Sequence, residues 1–280
     1  MGILDEAKDR IADRLNRAPL LHIAADEGEG SVVILLHGIA SSATTFELVI
    51  PELKKHHRVI AIELLGFGSS PAPEDATYTI DEHVAAIAVT IHSLRLREPF
   101  ILVGHSLGSL LAARYAARHA HEVSRLVLAS PPIYLRPEEI GDPIVRTHVS
   151  AYLAAYDFLR ANKDFTISTA ARVVRLFQLG DTLSITEKNW NAFTLSLQQC
   201  IESQTTISDI AAAKCQVDVV VGTLDQFVAP GTLEIIGRMR HVTTHTVHAN
   251  DHVVRRRLAR VIVKTIDPDP TDTAPATVIG

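Results

Sequence analysis

What most constrains this chain is a set of short runs that are apolar at every position, not at every second one: Val32–Leu36, Phe100–Val103 and Leu126–Ala129, with Val217–Val221 broken only by Asp218. A strand with one wet face alternates, whereas a strand buried on both faces does not. Between these runs lie longer stretches with helical spacing, near Thr45–Lys54, over Ile80–Leu96 and Leu107–His119, around Pro230–Met239 and at Val253–Ile266. Arg58–Ile62 and Thr243–Val247 read as further strands. The alternation predicts an α/β fold: a mostly parallel sheet with helices on both faces. All the apolar runs are strand-sized, so no membrane span is expected.

Between Pro131 and Ala213 the alternation stops. Three helical patterns follow one another, at Ile144–Ala161, Thr166–Leu179 and Glu187–Ser203, and the stretch carries Tyr134, Tyr152, Tyr156, Phe158, Phe165, Phe177, Trp190 and Phe193. We read residues 133–213 as an inserted α-helical lid, or cap, over a core built from 1–132 and 214–267. The tail, 268–280, is rich in Pro, Thr and Asp and is expected to be disordered.

Composition narrows the function classes. With a net charge of −5 over 280 residues, the chain offers no electrostatic reason to bind nucleic acid or an anionic membrane. Its first residues, MGILDEAKDRIADRLNR, lack the apolar core of a secretory signal, and Glu6 stands where a myristoylation motif wants Ser or Thr. The two cysteines, Cys200 and Cys215, fit a reduced, cytoplasmic setting better than a disulfide framework. Oligomeric state is not legible.

One junction carries chemistry. In ILVGHSLGSLLAARYAARHA, Ile101–Ala120, Ser106 stands between Gly104 and Gly108 where a strand gives way to a helix. Ser is a good helix N-cap, but a cap has no use for glycine on both sides. A serine held out on a strained strand-to-helix turn does need them, because the residues two before and two after approach one another.

With this junction, the pieces LLHGIASS, ELLGFGSSP, VGHSLGS, VGTLDQFV and HANDHV stand in an order that resembles the α/β-hydrolase family over Leu20–Ile266. The resemblance implies an eight-stranded sheet, or seven if the first strand is missing before Val32, with the lid after the sixth strand. It implies catalytic residues in the order Ser, acid, His: Ser106, then Asp225 beyond the strand Val217–Val221, then His252 in the loop after the last strand. Asp218, Asp251 and His248 are the rivals. It implies oxyanion-binding backbone N–H groups at Ile39, from the His-Gly-X loop, and at Leu107. His37, His105 and Glu63 are expected in supporting roles. Ser109 departs from the family's frequent second glycine.

No cofactor or metal is expected. His241, His245, His248 and His252 invite a metal reading, but residues at odd spacing on a strand face opposite ways. The implied activity is acyl transfer to water on a small-to-medium hydrophobic ester, lactone or thioester. Haloalkane dehalogenases and epoxide hydrolases put Asp at the position of Ser106. Carbon–carbon hydrolases usually carry Gly-Pro-Gly where this chain has HGIASSATTF, and perhydrolases an aromatic residue where it has Ile39. Those two activities stay as alternatives, as does a receptor or signalling protein that keeps the three residues with slow or no turnover.

Overall fold

The computed structural model describes residues 18–135, 137–177, 184–228 and 231–268. The segment 1–17, the tail from 269 on, and the expected helix ends at Leu179 and Pro230 lie outside them. The strands are β1 (Ile23–Glu27), β2 (Ser31–Leu36), β3 (His57–Ile62), β4 (Phe100–His105), β5 (Val123–Ala129), β6 (Gln216–Gly222) and β7 (Val242–Val247). They form a seven-stranded sheet in the order β1-β3-β2-β4-β5-β6-β7. Every pairing is parallel except that of β1 with β3. The sheet therefore has seven strands, not eight, among the described residues.

The uninterrupted apolar runs are explained by what covers them. Ile34, Leu36, Leu102, Leu126, Leu128, Val217 and Val219 face one core. Their odd neighbours Val33, Leu35, Val103, Val127 and Ala129 face a second. The first core is closed by α2 (Ile80–Ser93) and α3 (Leu107–Arg118) through Ile87, Ile91, Leu110 and Leu111. The second is closed by α9 (Arg256–Ile266) through Leu258, Ile262 and Ile266.

Some elements differ from expectation. The single helix anticipated over Thr45–Lys54 is a 3-10 turn, Ala43–Phe46, followed by the short α1, Ile50–Leu53. Pro51 sits in the first turn of α1, where its missing N–H is harmless; further along a continuous helix it would break a hydrogen bond. β1 is not read from the residues themselves; the resemblance leaves open whether a strand precedes Val32. It is an edge strand with three of its five residues exposed, and Arg58–Asp26 and Lys54–Glu27 ion pairs hold it to the strand and helix beside it.

Between β5 and β6 the chain is helical: α4 (Pro143–Ala161), α5 (Lys163–Phe177), α6 (Trp190–Ser196) running into a π turn at Leu197–Glu202, then α7 (Thr206–Ala212). Buried Val149, Tyr156, Phe193, Leu197, Ile201 and Ile210 join the first core. Arg114 ties these layers together, bonding Asp81 of α2 and Asp209 of α7 at 2.8 Å each. α8 (Thr232–Gly237) links β6 to β7. No helix among the described residues is long and apolar enough to cross a membrane.

The junction between β4 and α3 tolerates no side chain at Gly104 or Gly108. A Cβ at Gly108 would stand 2.2 Å from the Leu36 carbonyl oxygen and 2.5 Å from that of His37, and one at Gly104 would stand 2.3 Å from the Gly108 carbonyl oxygen. These are backbone atoms and cannot swing away. Gly108→Ala is therefore expected to destabilise the fold by about 3 kcal/mol, at the upper end of overpacking effects, read as a drop in the urea midpoint.

Candidate active site

Ser106 takes a φ of 53° and a ψ of −121° at the N-cap of α3, and its side chain makes no cap bond there. A non-glycine residue with positive φ carries strain that only its surroundings can hold. Those surroundings are specific. The Ser106 N–H donates to the Ala129 carbonyl at 3.0 Å, and Ser109 Oγ donates to the carbonyls of Gly104 and Ala129 at 2.7 and 3.1 Å. Ser109, the departure from the family pattern, thus uses its hydroxyl to tie β4 and β5 together beneath the turn.

Asp225 and His252 come from two loops at the carboxyl ends of β6 and β7. The loops are locked to each other: Leu224 N–H donates to the Asn250 carbonyl at 3.0 Å, and Ala249 N–H to Thr223 Oγ1 at 3.0 Å. A Cβ at Gly222 would lie 2.1 Å from the Asn250 carbonyl oxygen, so glycine permits this approach. His252 Nε2 lies 2.9 Å from Ser106 Oγ, and its Nδ1 lies 3.0 and 3.1 Å from the two oxygens of Asp225. A carboxylate only accepts, so Nδ1 carries the proton and Nε2 is free to take one from Ser106.

The Asp225 side chain is fully buried. Burial pushes its carboxyl up, but the hydrogen bond and charge of His252, with the Phe227 N–H at 3.0 Å, outweigh that and hold it below its usual value. It stays ionised, as a group orienting an imidazole should. Among the rivals, Asp218 is bonded to Arg125 and His245 at 2.8 Å each, Asp251 to the Val253 N–H and Arg255, and His248 is exposed. His241 bonds the Ile210 carbonyl at 2.9 Å. The four histidines near the carboxyl end of the chain thus have separate surroundings.

The His37–Ile39 loop lies against the serine: a Cβ at Gly38 would stand 3.0 Å from Ser106 Cβ. His37 is buried, donates from Nδ1 to the Gly38 carbonyl at 2.7 Å and accepts at Nε2 from the Leu64 N–H at 3.0 Å. Burial lowers its pKa to about 4, so it is neutral. Glu63 accepts from the N–H groups of Ser69 and Ala43 at 2.5 and 3.5 Å, bracing the neighbouring loops. Leu107 occupies the first helical position of α3, where a backbone N–H has no partner within its helix.

Two features escape sequence reasoning. His105 donates from Nε2 to the His252 carbonyl at 2.9 Å, fixing the loop from below; no local pattern predicts a bond between residues so distant. An aromatic ladder leads from His252 to α4, with ring centroids of His252 and Phe227 4.4 Å apart, Phe227 and Tyr152 5.5 Å, and Tyr152 and Tyr156 4.8 Å. The aromatic content of 133–213 was visible in the sequence; its aim at His252 was not.

A serine on a strained strand-to-helix turn, hydrogen-bonded to a histidine from the loop after the last strand of a mostly parallel sheet, defines the class of α/β-hydrolase-fold proteins. Residues 31–253 match the alpha/beta hydrolase fold family, and the chain belongs to it. It is 43% identical over 127 residues to a probable lysophospholipase of Arabidopsis thaliana, BODYGUARD 3, covering 44% of this chain and 25% of that protein. It is 39% identical over 106 residues to the 2-hydroxy-6-oxo-2,4-heptadienoate hydrolase of Pseudomonas putida, covering 37% of this chain and 38% of that one. The chain thus matches about a quarter to two fifths of the length of these curated relatives. Among solved structures, a meta-cleavage product hydrolase of Pseudomonas fluorescens aligns over 86% of this chain and 92% of its own with a TM-score of 0.62 at 23% identity. The enol-lactonase of Burkholderia xenovorans aligns over 88% and 94% with a TM-score of 0.63 at 21% identity. At these identities the likeness is one of fold.

Proposed function

We propose that this chain is a serine hydrolase that cleaves a small-to-medium hydrophobic ester, lactone or thioester through an acyl-enzyme on Ser106. The observation that carries the reading is the 2.9 Å contact of Ser106 Oγ with a His252 whose other nitrogen is held by buried Asp225. Ser106 Oγ attacks the carbonyl carbon as His252 Nε2 takes its proton, and Asp225 stabilises the imidazolium. Backbone N–H groups of Ile39 and Leu107 receive the oxyanion. The tetrahedral species collapses, the leaving group takes the proton from His252, and water repeats the sequence to free Ser106. No metal or cofactor enters the cycle.

Helices 143–212 act in this reading as the lid over the site. Ser106 is 6% exposed, and Tyr152 of α4 packs against Phe227, which packs against His252. The aromatic side chains beside His252 favour an apolar acyl group. A second reading, carbon–carbon bond hydrolysis, draws support from relatives named as hydrolases of a heptadienoate and of 2-hydroxymuconate semialdehyde. A panel containing alkanoyl esters of increasing length and a dienoate ring-cleavage product separates the two.

The direct test is intact mass after treatment with a fluorophosphonate, followed by peptide mapping. One adduct per chain is expected, on Ser106, and its formation should slow by at least about a hundredfold in Asp225→Ala and His252→Ala. A folded protein that forms no adduct would remove the hydrolase reading and leave ligand binding without turnover.

A further inference from the structure

At the far end of α3 from Ser106, about 18 Å away at 1.5 Å per residue, three metal-competent side chains converge. His92 ends α2, His119 caps the carboxyl end of α3, and Glu122 lies in the turn entering β5. Their ligand atoms all lie within 4.8 Å of one another, and they are the one such group among the described residues.

We propose that His92 Nε2, His119 Nδ1 and Glu122 Oε1 form a binding site for a divalent cation of the Zn2+ class. Glu122 Oε1 lies 3.2 Å from His92 Nε2 and 3.2 Å from His119 Nδ1. An ion at tetrahedral bond lengths of about 2.1 Å sets its ligand atoms about 3.4 Å apart. Both carboxylate-to-imidazole separations therefore already suit an ion, and the two ring nitrogens, within 4.8 Å of each other, close on it. Two imidazoles and a carboxylate select a borderline transition metal over Ca2+ or Mg2+, which take oxygen ligands.

The ligands are held before any ion arrives. Tyr115 donates its hydroxyl to Glu122 Oε2 at 2.5 Å, which leaves Oε1 turned to the two histidines. The His119 ring stacks on Tyr115 with centroids 4.4 Å apart. The main chain is pinned as well: His119 N–H donates to the Tyr115 carbonyl at 2.8 Å, Glu122 N–H to the His119 carbonyl at 2.9 Å, and Phe100 N–H to the Glu122 carbonyl at 2.9 Å. Such supporting bonds are what a metal site needs around its ligands. The side chains are partly exposed, 51% at His92, 22% at His119 and 34% at Glu122, so an ion reaches them from solvent. His92 and Glu122 also line a cavity of about 470 Å3 with Arg95, Glu98 and His121, which gives the ion's fourth position room for water.

The bound ion is a brace joining α2, α3 and β5, remote from Ser106. The sequence carries the expectation of no metal, and the cluster is hidden there because its members belong to separate elements. The test is isothermal titration of the chelator-stripped full chain with Zn2+, together with Co2+ binding followed by visible absorption. One ion per chain is expected, with tetrahedral-type Co2+ bands. His92→Ala and Glu122→Gln should each weaken binding by more than about tenfold, while Ser106→Ala binds as the parent does. His92 is half exposed, so its variant is expected to stay folded, which circular dichroism checks. No binding to the parent chain, or Zn2+ binding unchanged in both His92→Ala and His119→Ala, overturns the site. In the supporting case, Zn2+ also raises the Tm of the parent and not of His92→Ala.

Discussion

Ser106→Ala is expected to lower kcat/KM for p-nitrophenyl alkanoates by about 10^4-fold or more, the range seen when a serine nucleophile is removed. The variant should stay folded, since alanine meets the same backbone strain at φ 53° that serine does and adds no atoms. Asp225→Asn should cost about 10^3- to 10^4-fold by itself, because an amide at that position no longer selects the Nδ1–H form of His252. The double variant should be no worse than Ser106→Ala alone. Residues acting as one unit are strongly non-additive, so this third measurement separates a coupled pair from two independent contributors. If Ser106→Ala keeps more than about a tenth of the parent rate in a purified, refolded sample, hydrolysis occurs elsewhere and the assignment of Ser106 fails.

How much of this was visible before the fold was known depends on how local each cause is. The central strands were legible because residues such as Val33 and Ile34 are both buried, one in each core, and burial on both faces writes itself into consecutive positions. β1 was not legible: Ile23–Glu27 reads IAADE because an edge strand with a wet side needs no apolar run. Helix ends were misjudged where backbone geometry decides them. Ile80–Leu96 was too long because the helix stops at Ser93 and Arg95 turns to a φ of 51°. Val253–Ile266 began too early because Asn250 and Asp251 hold residues 251–253 in the loop that carries His252. Ser106 was legible because the tight turn demands glycines at fixed offsets. The links from His105 to the His252 carbonyl and from Tyr152 to Phe227 were not, because only the tertiary fold brings those residues together.

A second large effect follows from three buried histidines. His37, His83 and His105 are held neutral by burial, with pKa values lowered to about 4, 3 and 3. His37 is committed as a neutral ring because its Nε2 accepts from the Leu64 N–H, and the Nδ1 atoms of His83 and His105 are buried with no hydrogen-bond partner among the described residues to receive an added proton. In the unfolded chain the same groups titrate near 6.5. Below that pH the unfolded state binds protons that the native state does not, so stability falls with acidification until the folded values are reached. Each group contributes a slope of about 1.4 kcal/mol per pH unit, and three together about 4 kcal/mol per unit. By pH 5 the three together remove about 6 kcal/mol, a large part of a typical total of about 5–15 kcal/mol. Asp225 cannot produce that loss: its carboxyl is depressed below 3.8, so its contribution is present above the unfolded carboxylate value and disappears only at lower pH. Urea midpoints measured from pH 7.5 to 5.5 should therefore drop steeply, with proton uptake on unfolding approaching three at the acid end. His83→Gln keeps a donor toward Ser196 and removes one titrating ring, and should flatten the slope by about one proton. Midpoints that stay level across this range would mean that the three rings are already protonated, or reach water, in the native fold.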